Sequence, residues 1–381
     1  MLTPEQLDTI PDRMDALYRE FDENVIRIYA NTIKTAGKVT EDAEWIEIRA
    51  EAVGLAKEDL QKETARILEL SDDEIHKLFG DVAFTSADAD RERFESEGLS
   101  AERITKHDFL SQYIEAAWKQ TLGEFENIGA TTGFVIDGKF MDFTKALYKE
   151  LDMVQLQVSH GILDYNTAIK QSVKRVVSHG VSTIYYESGY KMNIASAARM
   201  ITLTGVNQMA RQMNEGICDE LGLDLVEVTA HAGARPSHKE WQGQIYSRSG
   251  KSNKYPPLVE STGLGNVDGL CGANCRHNYY GYFDGSSRAY SDDDLKNIDP
   301  PPFTYNDREY TYYEATQRMR YMERQMRKVK REKCAYEEAE MQGDIDACNI
   351  KLGRMEVEYS KFSNAAGISP RYERTEYIKG T

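Results

Sequence analysis

The chain has few cysteines and no long apolar run, and it is short of positive charge. Its 5 cysteines among 381 residues are scattered and odd in number. That excludes the paired framework of a small disulfide-stapled secreted domain and favours synthesis in a reducing cytoplasm. No apolar stretch approaches the length that spans a bilayer, so no membrane partner is expected. The opening residues MLTPEQLDTIPDRMD lack the basic start and apolar core of a signal peptide. Lys and Arg total 47 against 63 Asp and Glu, a formal net charge of −16. A uniformly acidic surface repels phosphate, which argues against sequence-independent DNA binding by the whole molecule and leaves room only for local basic patches. A GxxxxGK[ST] phosphate loop is missing. Gly263-Leu-Gly265 is not followed by a helical run, so it is no dinucleotide fingerprint.

What is present is mostly helical. The length allows two or three domains, and 40% hydrophobic with 29% charged residues is ordinary for a folded chain. Ile10, Met14, Leu17, Tyr18, Phe21, Val25, Ile28, Tyr29 and Ile33 step by three and four, which predicts one helical face closed by Gly37. Trp45, Ile48, Ala52, Leu55, Leu60, Ile67 and Leu68 repeat the pattern. Ser71-Asp-Asp-Glu74 reads as a capping box opening a further helix, and Ser86–Glu102 as a charged surface loop. Ile104 to Phe125 marks another helix. Gly129–Gly138 is a break with Asp137-Gly138 as its turn. Beyond it Ala168 to Val177 suits a helix ended by Gly180, Val181–Tyr186 suits a strand, and Met192–Met213 is helical again. Leu223–Thr229 alternates apolar and polar residues, the clearest strand signal in the chain.

After Pro300-Pro301-Pro302 two seams appear. Met319, Met322, Met326 and Val329 make one, and Cys348, Leu352, Met355, Tyr359, Phe362 and Ala366 the other, with Gly343-Asp344 between them. Their spacing predicts an antiparallel helical hairpin, expected to be a separable arm. Its first helix carries Arg318, Arg320, Arg324, Arg327, Lys328, Lys330, Arg331 and Lys333. This basic face is a candidate contact for DNA phosphate or an acidic partner, although Glu337, Glu338 and Glu340 are near enough to pair with it. The fold class predicted is mostly α with a small α+β central domain. Residues 1–130 form a helical N-terminal region, residues 131–299 the α+β core, and residues 300–381 the hairpin arm.

Residues 231–285 hold the chemistry. This segment contains three of the seven histidines, two of the five cysteines and many glycines. Glycine and proline keep it from being regular helix, and ordering so long a loop is costly, which points to a specific task. Three readings compete. A zinc site would use His238, Cys271, Cys275 and His277, with His231 nearby, but Cys-x3-Cys-x-His does not match a common knuckle and His231 and His238 are not a helical i, i+4 pair. A nucleophilic pair would be Cys275 with His277 or His238, helped by Arg235 or Arg276; a metal-dependent nuclease would pair His238, His277 and Asn274, with only Glu240, Glu260 and Asp268 as carboxylates. The structural reading accounts for more residues and is preferred, with no cofactor and no catalytic role. In it His231, Arg235, His238, Trp241, Gly243, Asn274, Cys275, Arg276 and His277 form a clamped loop core, with Trp241 as its buried anchor and Tyr279, Tyr280, Tyr282 and Phe283 packed beneath or against a partner.

The same segment carries a resemblance. HxGARPSHxxWQG, then YPPL, STGLG and GLCGxNCRHNYYGYFDG, resembles the phage minor capsid protein 2 family, which is similar to the wider Mu F-like head morphogenesis proteins. Weaker likeness extends through Tyr185–Gly189, Arg199–Gln208 and Tyr313–Arg331. The resemblance implies a structural role in a phage head, near the portal vertex, touching portal or major capsid protein, in contact with packaged double-stranded DNA or travelling with it. The chain would be made in the host cytoplasm and end in the virion. Some Mu F-like relatives carry C-terminal toxin domains, so a transferase-like or nuclease effector using the His/Cys loop is the alternative. A coiled hairpin after Gly285 departs from that design.

Overall fold

The computed structural model describes residues 2–36, 42–185 and 190–376. Gly37 and Tyr186, both singled out in the sequence, lie outside them, as do residues 187–189. The described chain is mostly α-helical with small antiparallel sheets. It divides into two compact units, each made of three separate stretches. One comprises Met1–Met14, Ser71–Glu124 and Arg199–Gln317; the other comprises Asp15–Leu70, Phe125–Ala198 and Arg318–Thr381.

Helix α1 (Pro4–Thr9) begins at a capping box in which Thr3 and Gln6 satisfy each other's backbone N–H groups. Helix α2 (Asp12–Ala36) buries Tyr18, Phe21, Val25, Tyr29 and Ile33 on one face, as their spacing predicts. Helix α3 (Asp42–Ser96) departs from the sequence reading. No new helix opens at Ser71, and residues 86–96 are helix; only Glu97–Ala101 leaves the helix before Glu102. The reason is a buried stripe that runs straight through the supposed start: Ile67, Ser71, Ile75, Phe79, Ala83 and Ala87 follow at intervals of four, and Asp90 and Phe94 continue it. Stopping at Ser71 would forfeit both the intrahelical bonds and this face. Ser71 is instead where the unit boundary falls. Helix α4 (His107–Ala130) follows a short turn.

A four-stranded antiparallel sheet in the order β2-β1-β3-β4 joins β1 (Thr132–Ile136), β2 (Lys139–Asp142), β3 (Val181–Tyr185) and β4 (Tyr190–Asn193). The turn at Asp137 and Gly138 has both residues left-handed, φ 52 and 74, the geometry of a tight hairpin. Helices α5 (Phe143–Ser159) and α6 (Tyr165–Val177) lie between β2 and β3 in the chain. Within this unit Tyr29 meets Phe134 at 5.2 Å between ring centroids, and Tyr18 stacks on Phe125 at 5.2 Å. Helix α7 (Ile194–Glu220) starts two residues after Met192, which belongs to β4.

The other unit is organised by β5 (Leu225–Val228). Helix α8 (Pro236–Lys239), β6 (Ile245–Ser247), α9 (Leu258–Thr262) and β7 (Tyr279–Tyr282) follow it. β5 is the central strand of the sheet β6-β5-β7, both of whose pairings are antiparallel. Helix α10 (Asp292–Lys296) and the hairpin of β8 (Phe303–Tyr305) and β9 (Arg308–Tyr310) complete the segment. Helices α11 (Tyr312–Glu338) and α12 (Gln342–Ala366) form the antiparallel pair, turning at Glu340 with φ 58; Gly343 is inside α12. The buried Tyr359 hydroxyl donates to Glu323 at 2.7 Å across the seam, where Met326, Val329, Leu352 and Phe362 are also buried.

Candidate functional site

The glycine-rich segment hangs from all three strands of its sheet. Thr229 directly follows β5, and its hydroxyl accepts the backbone N–H of Asn278 at 3.0 Å, so the two ends of the segment are tied where it leaves and returns. Pro236 opens α8, as its fixed φ favours. This single turn points His238 inward and sets Trp241 just past its end. Tight crossings then need residues without a side chain. A Cβ on Gly269 would lie 2.0 Å from the carbonyl oxygen of Gly263, and one on Gly272 would lie 2.4 Å from that of Val267.

The structure brings His231, His238, Trp241, Cys275 and His277 together. His231 stacks on His277 at 4.4 Å between centroids; Trp241 lies 4.4 Å from His238 and 4.9 Å from His277. Trp241 is buried with Val226, Val228, Tyr246, Leu258 and Tyr279, and Cys271 and Cys275 belong to the same apolar cluster. His238 Nδ1 is 3.4 Å from His277 Nδ1; Cys275 Sγ is 3.9 Å from the first and 3.6 Å from the second. These three are the residues whose donor atoms converge closely enough to hold a metal ion among the described residues. Cys271 Sγ lies 3.6 Å from the carbonyl oxygen of His277.

The remaining candidates frame this cluster. Arg235 donates to the carbonyl of Ala273 at 2.9 Å. Arg276 reaches His231 Nδ1 at 3.2 Å and pairs with Asp8 at 3.6 Å. Gly243, at φ 67, packs against Leu295. Asn274 is left-handed, φ 56, and exposed, so it does not join the two histidines as a nuclease triad would require. Glu240, Glu260 and Asp268 are exposed as well.

Electrostatics agree with a closed core. Burial pushes the His231 imidazole down to about 4, with the Arg276 charge adding to the effect. Burial also lowers His238, and it lowers His277 well below the ordinary histidine range, helped by the neighbouring imidazoles. Burial raises both thiols, Cys271 and Cys275. A protonated thiol shut away from solvent is a poor nucleophile.

Several residues at the site were not singled out from the sequence. Asn207 on α7 donates to the carbonyls of Cys275 and His277 at 2.9 and 3.0 Å, and accepts from Asn278 at 2.7 Å. Asn214, one heptad on, donates to the carbonyl of Tyr279 at 2.5 Å. The signal for both was two asparagines seven apart on a helix face otherwise made of Ala210, Met213 and Ile217. Gln242 accepts from His231 N–H at 3.2 Å and meets His277 Nε2 at 3.0 Å. Glu227, which alternation along β5 would turn to solvent, is fully buried. It accepts from the Tyr280 hydroxyl at 2.9 Å and from the backbone N–H groups of Ala289 and Tyr290.

A family model described as phage minor capsid protein 2 matches residues 2–362. The chain belongs to that family. No curated protein and no solved structure matches it. In this minor capsid protein the basic residues of α11 do not form one open face. Arg331 is buried against Asp22 at 3.1 Å, Arg327 donates to the carbonyl of Arg374, and Lys330 bonds Thr375 at 3.2 Å. Glu337 and Glu338 pair with Arg27, and Glu340 with Lys34, so the acids near the turn are committed to α2 as well. Arg318 and Arg324 are exposed; Arg320 and Lys328 are half-buried. Arg318, Tyr321, Ile350 and Met355 line an open groove of about 610 Å³ along the hairpin. No helix among the described residues is long and apolar enough to cross a membrane.

Proposed function

We propose that this minor capsid protein is a low-copy structural component of the phage head, assembled near the portal vertex against portal or major capsid protein and carried in the virion. Its synthesis in the host cytoplasm belongs to the same reading. The observation that carries it is the family match over residues 2–362. The site supports it, because the conspicuous histidines and cysteines are buried in mutual contact, an arrangement that rigidifies a platform. The solvent-facing side of the hairpin, with Arg318, Arg324 and the groove beside Tyr321, is the surface offered to a partner or to packaged DNA.

The test is its position in an assembled head. A tagged copy is followed through particle purification, and cross-links to its neighbours are identified. Cross-links to portal or major capsid protein in purified heads support the reading. A protein that stays in the lysate while heads assemble and fill normally would overturn it.

A further inference from the structure

The donor atoms around His238 and His277 are short of a proton. His238 Nε2 lies 2.8 Å from the carbonyl oxygen of Asp268, which can only accept, so the proton of this ring sits on Nε2. His277 Nε2 lies 3.0 Å from Gln242 Oε1. That oxygen also accepts the backbone N–H of His231, which fixes the orientation of the amide and places the His277 proton on Nε2 too. Both Nδ1 atoms are therefore bare lone pairs, and they face each other at 3.4 Å. The single thiol proton of Cys275 cannot serve two acceptors. A buried pair of facing lone pairs is costly unless a positive centre joins them.

The spacing fits a tetrahedral metal ion. A tetrahedral zinc ion with Zn–N of about 2.0 Å and Zn–S of about 2.3 Å has an N···N edge of about 3.3 Å and N···S edges of about 3.5 Å. The edges here are 3.4, 3.6 and 3.9 Å, one face of that tetrahedron slightly opened. Cys271 stands outside this converging set of three. It is a second buried thiol of the same run, its sulfur 3.6 Å from the His277 carbonyl oxygen that Cys275 approaches at 3.7 Å, and a turn of its side chain would carry it toward the fourth corner. The backbone is left-handed at Cys271 and Asn274, φ 58 and 56, which turns the run that carries both thiols. Such a conformation is disfavoured for residues with a side chain and persists where the surroundings hold it. Charge favours two thiolates: Zn²⁺ with two is neutral, whereas a single thiolate would add a net positive charge beside Arg235 and Arg276.

We propose that His238, His277, Cys275 and Cys271 form a structural zinc site that locks the glycine-rich core. On binding, each thiol releases its proton to solvent as its Zn–S bond forms, while the imidazoles donate existing lone pairs, so affinity falls with falling pH. Closed four-ligand coordination, with Gln242 and the Asp268 carbonyl orienting the rings, is the pattern of a structural site. This inference does not depend on where the protein sits in the head.

The experiment uses the full-length, untagged protein. Metal content is measured by plasma mass spectrometry, and cobalt is exchanged for zinc and followed by absorption. The expected result is one zinc per chain, lost to a strong chelator with a fall in melting temperature. Cobalt should give tetrahedral bands and a sulfur-to-metal charge-transfer band. Cys271→Ser should retain circular dichroism and lose roughly half of that band. Absence of bound zinc, together with failure to take up cobalt, would overturn the site. Cobalt spectra unchanged by both Cys275→Ser and Cys271→Ser would also overturn it, because the metal would then lie elsewhere. A band weakened by Cys275→Ser alone would remove Cys271 from the ligand set.

Discussion

Arg331 and Asp22, 309 positions apart in the chain, are joined by an ion pair of 3.1 Å in which both side chains are buried. Burial pushes the Asp22 carboxyl up; the Arg331 charge and the backbone N–H of Val181, 2.6 Å away, oppose it. A Cβ on Gly180 would lie 2.6 Å from the same guanidinium. One arginine of α11 thus holds α2 and the start of β3 in a single arrangement.

Removing the hairpin should therefore disturb the rest of its unit. Arg331→Ala should cost about 3–5 kcal/mol, because it leaves the buried Asp22 without its counter-charge. Deleting everything after Pro302 should abolish cooperative unfolding of the unit that contains Asp22. Denaturant titration of the point variant and of the truncation checks both, and a truncation that melts as sharply as the whole chain would contradict the assignment.

Trp241→Ala should destabilise the glycine-rich core by about 3–5 kcal/mol, the usual cost of truncating a buried aromatic side chain. Trp241 touches both His238 and His277. Trp241→Phe retains a ring there and should lose markedly less. The check is the shift in denaturation midpoint of the two variants.

Acid should loosen the core through His231. Its value falls from 6.5 to about 4 on folding, so the unfolded chain takes up the proton first. The stabilisation is complete above about pH 6.5 and is lost as pH falls through about 4. The loss amounts to about 3 kcal/mol, at about 1.4 kcal/mol per unit. His231→Gln, compared with the parent by stability measured against pH, should flatten that slope. An unchanged slope would assign acid sensitivity to other groups.

Charge reversal separates the two kinds of arginine on α11. Arg318→Glu with Arg324→Glu should leave stability within about 0.5 kcal/mol, since both side chains are exposed. Incorporation into heads should drop, and the remaining association should weaken steeply with salt. Quantifying the protein in purified heads measures this. Normal incorporation of the double variant would exclude this face as a docking element.

The helical character, the seams of the hairpin and the strand at residues 225–228 were legible from periodicity, because a face that must be buried repeats with the period of its element. At Ser71 the same periodicity overrides a local signal: the Ser-x-x-Glu pattern predicts a helix start, but the four-residue stripe from Ile67 to Ala87 runs through it. Glu227 lies beyond such patterns, because alternation reports which face a residue occupies, not whether Tyr280 and two backbone N–H groups wait on that face.

By itself the sequence determined that the chain is mostly helical, that residues 231–285 form its special loop, and which family that loop resembles. These rest on local pattern and on rare residue types in order. Only the tertiary structure decided where the basic residues and the histidines sit. Arg331 and Arg324 are both cations on one helix, yet one is buried against Asp22 and the other is exposed, and nothing within α11 tells them apart. Cys-x3-Cys-x-His does not by itself match a common zinc knuckle. The structure sets His238, 39 positions away from His277, within 3.4 Å of it, and contacts that distant are set by packing, which no local pattern encodes.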